Sequence, residues 1–516
     1  MPPGTKQQLK PLAPPMLPYA LPWLGHAMEF LSEEPGSFWR MLRDKLRATG
    51  TEVDICTILL GGQKAHVISS AAAVQALFKD KSVSRELFNH QLARNSLGTS
   101  QADAERMWPS AAAIAKGAEK DRKLSMEALN HEYLLSQAAV SALTSKFTEC
   151  FNASLQAAEL DSEWTTVDLL SWLKTKMFDA STTAVLGTKI LEMNPDLVEQ
   201  YWHYDAGFLP RFYGLPKWLK PEAYRGMEEM IARTEGWVKH VLDQCDQNPP
   251  EEPEWEPMFG AKLVRARHRF YEREGVTLRG KAAFDLGLLF GLSANAIPIT
   301  GWILIHLLSP LTPKDVLPRI LREVKDARRH DGEIDVTRLL SQPLLNSVLH
   351  ETLRHYVDSL VTRQLASDTI LDGYLLRKDD LIMAPSWLSQ HDSVFWEEEQ
   401  RASVNTWCAE RFLRHNAMTG KDEFSSSWTS GKFFPFGGGG YICPGRVFAK
   451  QEILIALAML LMQFEIKFVE YLGTDKTGTT VGLGTQPSGF PRVKRQYAGN
   501  GTLLMDGDIR VQLRRL

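Results

Sequence analysis

The sequence predicts a mainly α-helical protein with a minor β region, and three observations carry that prediction. Apolar residues recur at helical spacing over long stretches, for example residues 134–159 and 167–186. One region near the amino terminus, residues 52–69, has the β-branched composition of a hairpin, with Gly61-Gly62 as its turn. The stretch from Leu286 to Leu308 contains no Asp, Glu, Lys or Arg. Such a stretch is typical of a helix buried on every side in a large core.

The composition argues against several classes of function. The formal net charge of the 516 residues is -3, so no global basic field is present and nucleic acid is not an expected partner. The cysteines are far apart, form no CxxC pair and are odd in number. This pattern speaks against a disulfide framework or a zinc site and fits a reducing compartment. They are Cys56, Cys150, Cys245, Cys408 and Cys443.

The remaining segments are consistent with one large helical domain. The first 26 residues include PLAPPMLPYALPWLGH, which has too many prolines for a helix and too short an apolar run to cross a bilayer. Residues 247–257 read QNPPEEPEWEP, and their prolines and acidic groups predict an irregular surface loop. Helical patterns cover residues 71–78, 116–129, 134–159, 167–186 and 221–245.

Residues 207–220, GFLPRFYGLPKWLK, place aromatic and aliphatic groups beside three cations. The cations are Arg211, Lys217 and Lys220. Aromatic rings with neighbouring lysines suit a membrane interface, where the rings lie at headgroup level. A packed core with a charged rim explains the same pattern, so both interpretations stay open.

The apolar stretch predicts a kinked central helix with a polar niche. Its length also allows a bilayer-spanning helix, but the charged segments on both sides favour a buried one. Pro298 has no N–H to donate to the Ala294 carbonyl, so we expect a kink there. Ser293, Asn295 and Thr300 become polar groups inside the core and need partners or a function.

Four consecutive glycines, Gly437 to Gly440, precede Cys443, and a helical pattern follows from Arg446 to Leu461. Consecutive glycines predict a loop with positive φ angles or a close approach of the backbone to another group. A cysteine just before a helix amino terminus is favoured as a thiolate. A thiolate in a glycine loop beside Phe436 suits an axial ligand of haem iron, whereas a lone buried thiol is the alternative.

The order Phe436, Gly439, Cys443, Gly445 resembles the FxxGxxxCxG haem-binding signature of the cytochrome P-450 superfamily. The resemblance implies that fold over residues 27–516 as a single catalytic domain. It implies haem b between a long central helix and the cysteine loop, with Cys443 as the iron ligand. Phe436, Gly437, Gly439, Gly445 and Ala294 are then expected to line the cofactor.

The central helix departs from the usual pattern of this superfamily. Its members usually carry an acid followed by threonine there, whereas Ser293 falls near the acid position and Asn295 at the threonine position. An asparagine followed by proline resembles one subset, the cholesterol 7α-hydroxylase, sterol 12α-hydroxylase and prostacyclin synthase group. Ser293 and Asn295 are therefore the expected catalytic residues.

Glu351 and Arg354 lie at positions i and i+3 of a helical pattern in SVLHETLRHY. A surface ion pair would explain them. They resemble the ExxR motif of the superfamily, which implies a buried triad with Arg411 of WCAERFLRH and a structural role beneath the cysteine loop.

Arg363 falls where members of the superfamily direct an arginine at a haem propionate. Many carry arginine or histidine two residues before the cysteine, but Tyr441 stands there. A second propionate contact must come from elsewhere, and the basic cluster Lys120, Arg122 and Lys123 is a candidate.

The resemblance implies a monooxygenase that hydroxylates an apolar, steroid- or terpenoid-sized substrate with O2 and NADPH-derived electrons from a cytochrome reductase. Arg446 and Lys450 are candidate cationic contacts for that reductase, and solvated surface charge is the alternative. A reductase-independent isomerase of the prostacyclin synthase type is the second enzyme hypothesis, and a haem-binding sensor the third.

Residues 1–26 resemble the proline-rich hinge that follows the membrane anchor of microsomal members, with the anchor absent from this chain. The sequence leaves open whether the natural protein carries one. The resemblance implies a monomer on the cytosolic face of the endoplasmic reticulum membrane.

Overall fold

The computed structural model describes residues 12–48, 55–109, 125–157, 163–245, 252–398, 402–475, 477, 479–499 and 501–516. Long helices dominate these residues, as the apolar periodicity predicted. The long helices are Ser37–Ala48, Gln137–Gln156, Leu169–Leu186, Pro221–Gln244, Lys262–Arg273, Leu278–Ser293, Ala296–Leu308, Val316–Asp326, Pro343–Tyr356 and Arg446–Gln463.

Shorter helices connect the long ones. Serine side chains cap several of them, because a hydroxyl at the first position accepts a backbone N–H that the helix leaves unpaired; Ser70 accepts from Ala73 in this way. The full set of shorter helices, capped and uncapped, is Ala27–Phe30, Ala71–Lys79, Glu86–Gln91, Gln101–Met107, Met126–Leu134, Lys189–Met193, Leu197–Ala206, Phe208–Phe212, Val336–Leu340, Ser386–Gln390 and Ser393–Glu398.

The central helix is broken where the sequence predicts its kink. Its two parts, Leu278–Ser293 and Ala296–Leu308, meet at Ala294 and Asn295, four and three residues before Pro298. Among the described residues, this is the one helix long and apolar enough to cross a membrane, and 78% of its most apolar window is buried inside the protein. The burial favours the core helix over the bilayer-spanning alternative.

The β region consists of two four-stranded sheets and several two-stranded ribbons. The predicted hairpin is present as Ile55–Leu60 and Gln63–Ile68, and both turn glycines have positive φ. This sheet continues through Leu381–Pro385 to Leu360–Gln364. The second sheet has the order Thr480–Gly484, Phe464–Thr474, Asp508–Arg515, Thr165–Asp168. The ribbons pair Leu413–Asn416 with Lys421–Phe424, Thr369–Leu371 with Tyr374–Leu376, Arg492–Val493 with Met505–Asp506, and Val357–Asp358 with Gly501–Thr502.

Two predicted boundaries differ from the structure. The pattern assigned to a helix over residues 167–186 begins as the strand Thr165–Asp168, because this strand pairs with Asp508–Arg515 at the far end of the chain. In the predicted irregular loop, Trp255–Glu256 forms a short ribbon with Gly260–Ala261, while residues 247–251 lie outside the described part. Pairing with a distant strand decides the first case, and pairing with a neighbouring segment decides the second.

The core surrounds the second half of the central helix. Trp302, Ile303 and Leu304 are fully buried, and the helix Arg446–Gln463 packs alongside with its own buried apolar face. This packing fixes the start of Arg446–Gln463, and therefore the loop that ends at Cys443, relative to the central helix.

Candidate functional site

The cysteine loop has the geometry that its glycines predict. Gly437 and Gly439 have φ angles of 71° and 66°, a region that side-chain-bearing residues rarely adopt. A Cβ at Gly438 would lie 2.3 Å from the Phe78 ring, whereas one at Gly440 would meet nothing within 4 Å. The loop is therefore packed on one side and open on the other. The Cys443 N–H closes it by donating to the Phe436 carbonyl at 3.0 Å.

Cys443 presents an exposed thiol at the end of this loop. Protein atoms surround it on most sides, and this burial raises the pKa of the thiol, although the N–H groups of Gly445 and Arg446 and the charges of Arg446 and Arg85 oppose the shift. Desolvation therefore outweighs the helix terminus in setting the direction of this shift. A coordinating metal deprotonates such a thiol.

Glu351 lies at the centre of the predicted buried triad. Its carboxylate accepts from Arg354 Nε at 2.7 Å and from Arg411 Nε at 2.9 Å, and all three side chains are fully buried. The Cys408 backbone N–H donates to the same carboxylate at 3.0 Å. The surface ion-pair alternative is thereby excluded for this pair.

Arg363 lies against the residue that replaces the usual basic group. Its guanidinium stacks over the Tyr441 ring at 4.8 Å and reaches the Gly438 carbonyl at 3.5 Å. Burial and the nearby charge of Arg85 lower the pKa of Arg363 to about 10. Arg363 therefore lies beside the cysteine loop.

Arg85 is a residue of the site that the sequence analysis missed. Its half-buried guanidinium lies over the Phe88 ring at 4.6 Å and within electrostatic reach of Cys443 and Arg363. Within the described ranges, no carboxylate forms an ion pair with Arg85 or Arg363. Glu127 lies within electrostatic reach of Arg85 without forming an ion pair with it, and two guanidiniums that share one site in this way favour a ligand with two acidic groups. The segment KSVSRELF carries no motif that would have singled out Arg85.

The alternative candidates for this role, Lys120, Arg122 and Lys123, lie outside the described residues. Among the residues that are described, no three His, Cys, Asp or Glu side chains form a group that could hold a metal ion. Cys443 is therefore a candidate for the single protein ligand that a haem iron takes. The open loop, the thiol and the paired guanidiniums fit a haem with its two propionates.

The central helix is not buried on every side, in contrast to the prediction. Gly291 and Asn295 are exposed within an otherwise buried helix, and a Cβ at Gly291 would meet nothing within 4 Å. Gly291 precedes the break at Ala294 and Asn295 belongs to it, so the central helix is accessible at and just before its predicted kink.

Ser293 and Asn295, the two predicted catalytic residues, have different surroundings. Ser293 is fully buried, and its hydroxyl interacts with the buried Tyr201 hydroxyl. It lies two residues from Gly291, which is nearly the opposite face of the helix. Asn295 is exposed, and its Oδ1 accepts hydrogen bonds from the backbone N–H and the hydroxyl of Thr502. Nothing in the sequence connected Asn295 with Thr502.

A cavity of about 320 Å³ lies beside Arg363 and extends toward the amino-terminal hairpin. Most of its lining is apolar, which suits an apolar ligand. The lining includes Phe30, Phe88, Phe212, Tyr213, Leu360 and Met383. A larger cavity of about 740 Å³, beside Trp302 and Trp407, includes neither Cys443 nor Arg363.

The segment 207–220 contains both buried core residues and exposed apolar residues, so each of the two interpretations applies to a part of it. Phe208 and Leu209 belong to the core, and Arg211 is fully buried, where it donates to the carbonyls of Tyr204 and Ala223. Arg211 is therefore not part of a charged rim. Trp218, by contrast, is 81% exposed.

Comparison with known proteins finds similarity over nearly the whole chain. The family model described as Cytochrome P450 matches residues 14–490. The cytochrome P450 monooxygenase calL of Penicillium decumbens is 30% identical over 474 residues, which cover 89% of this chain and 86% of the relative. The cytochrome P450 monooxygenase efuG of Hormonema carpetanum is 27% identical, with coverages of 92% and 88%.

A sterol hydroxylase is also similar. The 7-alpha-hydroxycholest-4-en-3-one 12-alpha-hydroxylase of Homo sapiens is 24% identical, with coverages of 99% of this chain and 95% of the relative. Retinoic acid-bound cyanobacterial CYP120A1 superposes with a TM-score of 0.61 at 20% identity, covering 98% of this chain and 100% of that chain. At this identity the structural likeness shows the fold alone, and it confirms the predicted fold.

Proposed function

This chain belongs to the cytochrome P450 family and is an oxidoreductase, and from that premise we propose that it hydroxylates an apolar substrate of steroid or terpenoid size. Dioxygen and electrons from an NADPH-dependent reductase complete the reaction. The observation that carries the proposal is the exposed Cys443 thiol at the end of an open glycine loop. The names of calL, efuG and the sterol hydroxylase support the reaction class.

The family implies a haem iron, and the residues present fit it. Haem with a thiolate ligand activates dioxygen for insertion of one oxygen atom into a C–H bond. Cys443 would bind the iron, and Arg363 and Arg85 would bind the propionates. The loop residues Phe436, Gly437, Gly439 and Gly445, and Ala294 at the helix break, would line the cofactor.

The chain itself excludes water, orients the substrate and places polar groups above the site. Asn295 is exposed at the break of the central helix and carries an amide that does not ionise. Ser293 is buried on the other side of the helix, which favours water or a substrate hydroxyl as the source of protons. The apolar cavity beside Arg363 supports an apolar substrate.

A reductase would dock on the face of the protein near the cysteine loop. Arg446 and Lys450 follow Cys443 directly, but both are half-buried, Arg446 donates to the Cys443 carbonyl, and burial lowers the pKa of Lys450. We therefore propose that Arg446 and Lys450 contribute to reductase docking without being its main contacts.

Exposed apolar groups support a membrane surface as the working environment. Trp218 and Leu219 protrude near the amino-terminal segment, where Trp23 is 69% exposed, and Lys220 links the two regions through an ion pair with Glu33 at 3.1 Å. Aromatic groups beside lysines suit the lipid headgroup level. We propose that residues 1–26 act as a hinge and residues 27–516 as one catalytic domain. This domain would work as a monomer on the cytosolic face of the endoplasmic reticulum.

Asn295 also favours a second candidate, a reductase-independent isomerase of the prostacyclin synthase type. An amide cannot replace the acid that supplies protons in most members of the family, whereas rearrangement of a peroxide needs no reductase, NADPH or dioxygen. The two candidates differ in the mass of the product.

The deciding experiment supplies the haem-loaded protein with a host lipid and metabolite extract, with and without NADPH, reductase and dioxygen. Hydroxylation gives products that are heavier by one oxygen and form only when all three are present. Products of unchanged mass from the ferric protein alone would overturn the proposal in favour of the isomerase. Cys443→Ser serves as the inactive control.

Asn295→Ala tests the polar group above the site. We expect slower product formation with unchanged haem content, because Asn295 lies on an exposed face and not in the cysteine loop. Loss of haem from this variant would instead assign Asn295 a structural role.

A further inference from the structure

We propose that Thr502 is a positioning residue, which orients the Asn295 amide so that its NH2 group faces the open side of the helix break and donates a hydrogen bond to a bound molecule. This inference rests on the proposed function, since it concerns the group above the same site. Its target is an acceptor oxygen or other acceptor atom of a small molecule bound there.

The contact between the two residues fixes the orientation of the amide. Asn295 Oδ1 lies 3.1 Å from the Thr502 backbone nitrogen and 3.0 Å from Thr502 Oγ1. A backbone N–H can only donate, so the Asn295 atom that faces it must be the acceptor oxygen. The NH2 group of the amide therefore points away from Thr502.

The opposite end of the amide has no partner in the described part of the chain. No hydrogen bond joins Asn295 Nδ2 to any described acceptor, and Asn295 is exposed at the break of the central helix. An NH2 group is purely a donor. In this orientation Asn295 offers two N–H donors and no acceptor to a bound molecule.

The chain around Thr502 is built to approach Asn295 closely. Gly501 has a φ angle of 82°, and a Cβ there would lie 2.9 Å from Asn295 Oδ1. Any larger residue would therefore push the amide away in addition to straining the backbone. The glycine at this position allows the N–H of the next residue to reach the amide oxygen.

Hydrogen bonds of the residues before and after Thr502 hold this turn in place. The Leu503 N–H donates to the Tyr356 carbonyl at 2.7 Å, and the Leu503 carbonyl accepts from Trp302 Nε1 at 2.7 Å. On the other side, the Gly499 N–H donates to the buried Asp358 carboxyl at 3.1 Å. Because Trp302 belongs to the second half of the central helix, the turn and the helix move together.

In this arrangement Asn295 is a preorganised hydrogen-bond donor and not a proton relay. Asn295 stabilises negative charge on a bound atom by a fixed N–H dipole, which needs no reorganisation when the charge develops. It does not accept a proton from solvent and pass it on, since its acceptor oxygen is occupied by Thr502.

The test uses carbon monoxide bound to the reduced, haem-loaded protein, and its readout is the C–O stretching band rather than turnover. A donor near the CO oxygen lowers the C–O frequency. Asn295→Asp, which exchanges the NH2 for an acceptor oxygen, should raise the frequency. Thr502→Val, which removes one of the two bonds to Asn295 Oδ1, should split or broaden the band with unchanged haem content.

Two further variants control for structural damage. Thr502→Ser keeps the hydroxyl and should restore the single wild-type band. Thr300→Val removes a hydroxyl that bonds only to the Ala296 carbonyl within the helix, at 2.9 Å, and should leave the band unchanged.

An unchanged band in Asn295→Asp would overturn the donor, and an unchanged band in Thr502→Val would overturn the positioning role. Neither result would affect the proposed function, which is decided by product mass. Failure of the wild-type protein to bind CO would overturn both together.

Discussion

Arg411 Nε lies 2.9 Å from Glu351 Oε2, although 60 residues separate the two along the chain. The other guanidinium nitrogens of Arg411 donate to the carbonyls of Ala402, Ser403 and Thr406 at 2.8–3.2 Å. A buried charge is tolerated when it is paired and its remaining donors are satisfied. The segment before Arg411 is thereby tied to the helix that carries Glu351.

The first prediction concerns this buried pair. Arg411→Lys removes the planar guanidinium and leaves carbonyls and a carboxylate without full pairing, so we expect a loss of about 3–5 kcal/mol in the free energy of unfolding. Urea unfolding of the haem-loaded protein measures it. Arg377→Lys, in an exposed pair with Asp368, is the control and should show no measurable change. Equal stability of the two variants would contradict the structural role.

The second prediction concerns the iron ligand. Cys443→Ser should abolish the red-shifted absorption band of the reduced CO complex, because only a thiolate ligand produces that band in this family. Cys245→Ser, which changes a half-buried thiol at the end of another helix, should keep it. Survival of the band in Cys443→Ser would exclude Cys443 as the ligand.

The third prediction concerns the paired guanidiniums. Arg363→Leu and Arg85→Leu should each speed the transfer of haem to excess apomyoglobin by roughly tenfold or more, since a hydrogen bond to a charged group contributes about 1.5–3 kcal/mol. The exposed Arg377→Leu serves as the reference and should transfer haem at the wild-type rate. A wild-type rate in Arg85→Leu would remove Arg85 from the cofactor site.

The fourth prediction concerns pH and Glu452. This carboxyl is buried against Ser181, and desolvation raises its pKa from 4.5 to about 8. Between these values the folded state binds more protons than the unfolded state. Stability is therefore full below pH 4.5 and falls as pH rises toward 8, with a limiting slope of about 1.4 kcal/mol per pH unit.

Glu452→Gln keeps the shape and removes the titration. The free energy of unfolding should then depend less on pH over this range, as urea unfolding at several pH values will measure. Glu199→Gln, on an exposed helix face, should retain the wild-type dependence. A Glu452→Gln profile parallel to that of the wild type would contradict a protonated Glu452.

The fifth prediction concerns the membrane surface. Trp218→Ser combined with Leu219→Ser should weaken cosedimentation with phospholipid vesicles several-fold, because these exposed groups supply apolar contact with the bilayer. Met418→Ser removes an apolar group that is 96% exposed, in the turn between Leu413–Asn416 and Lys421–Phe424, and should have no effect. Equal losses in both variants would indicate non-specific adhesion.

Local sequence patterns predicted several elements of the fold and some residues of the site. The hairpin followed from its glycines, the helix break from Pro298, and the open loop from Gly437 to Gly440, because each depends on the backbone preferences of a few consecutive residues. Glu351 and Arg354 were recognised as neighbours because residues three apart share a helix face.

The tertiary structure decided the remaining contacts. Arg85 lies hundreds of residues from Arg363 along the chain, and Asn295 and Thr502 are 207 residues apart, so no spacing rule connects them. The helix terminus beside Cys443 is visible in the sequence, whereas the surrounding protein that desolvates the thiol and raises its pKa is not.

The sequence by itself determined the family, the cysteine loop and the buried acid of the ExxR pair, since short-range geometry and residue chemistry specify these. Only the folded chain decided which guanidiniums converge, which way the Asn295 amide points and which face of the central helix is open. These properties depend on desolvation and on contacts between segments that only packing brings together.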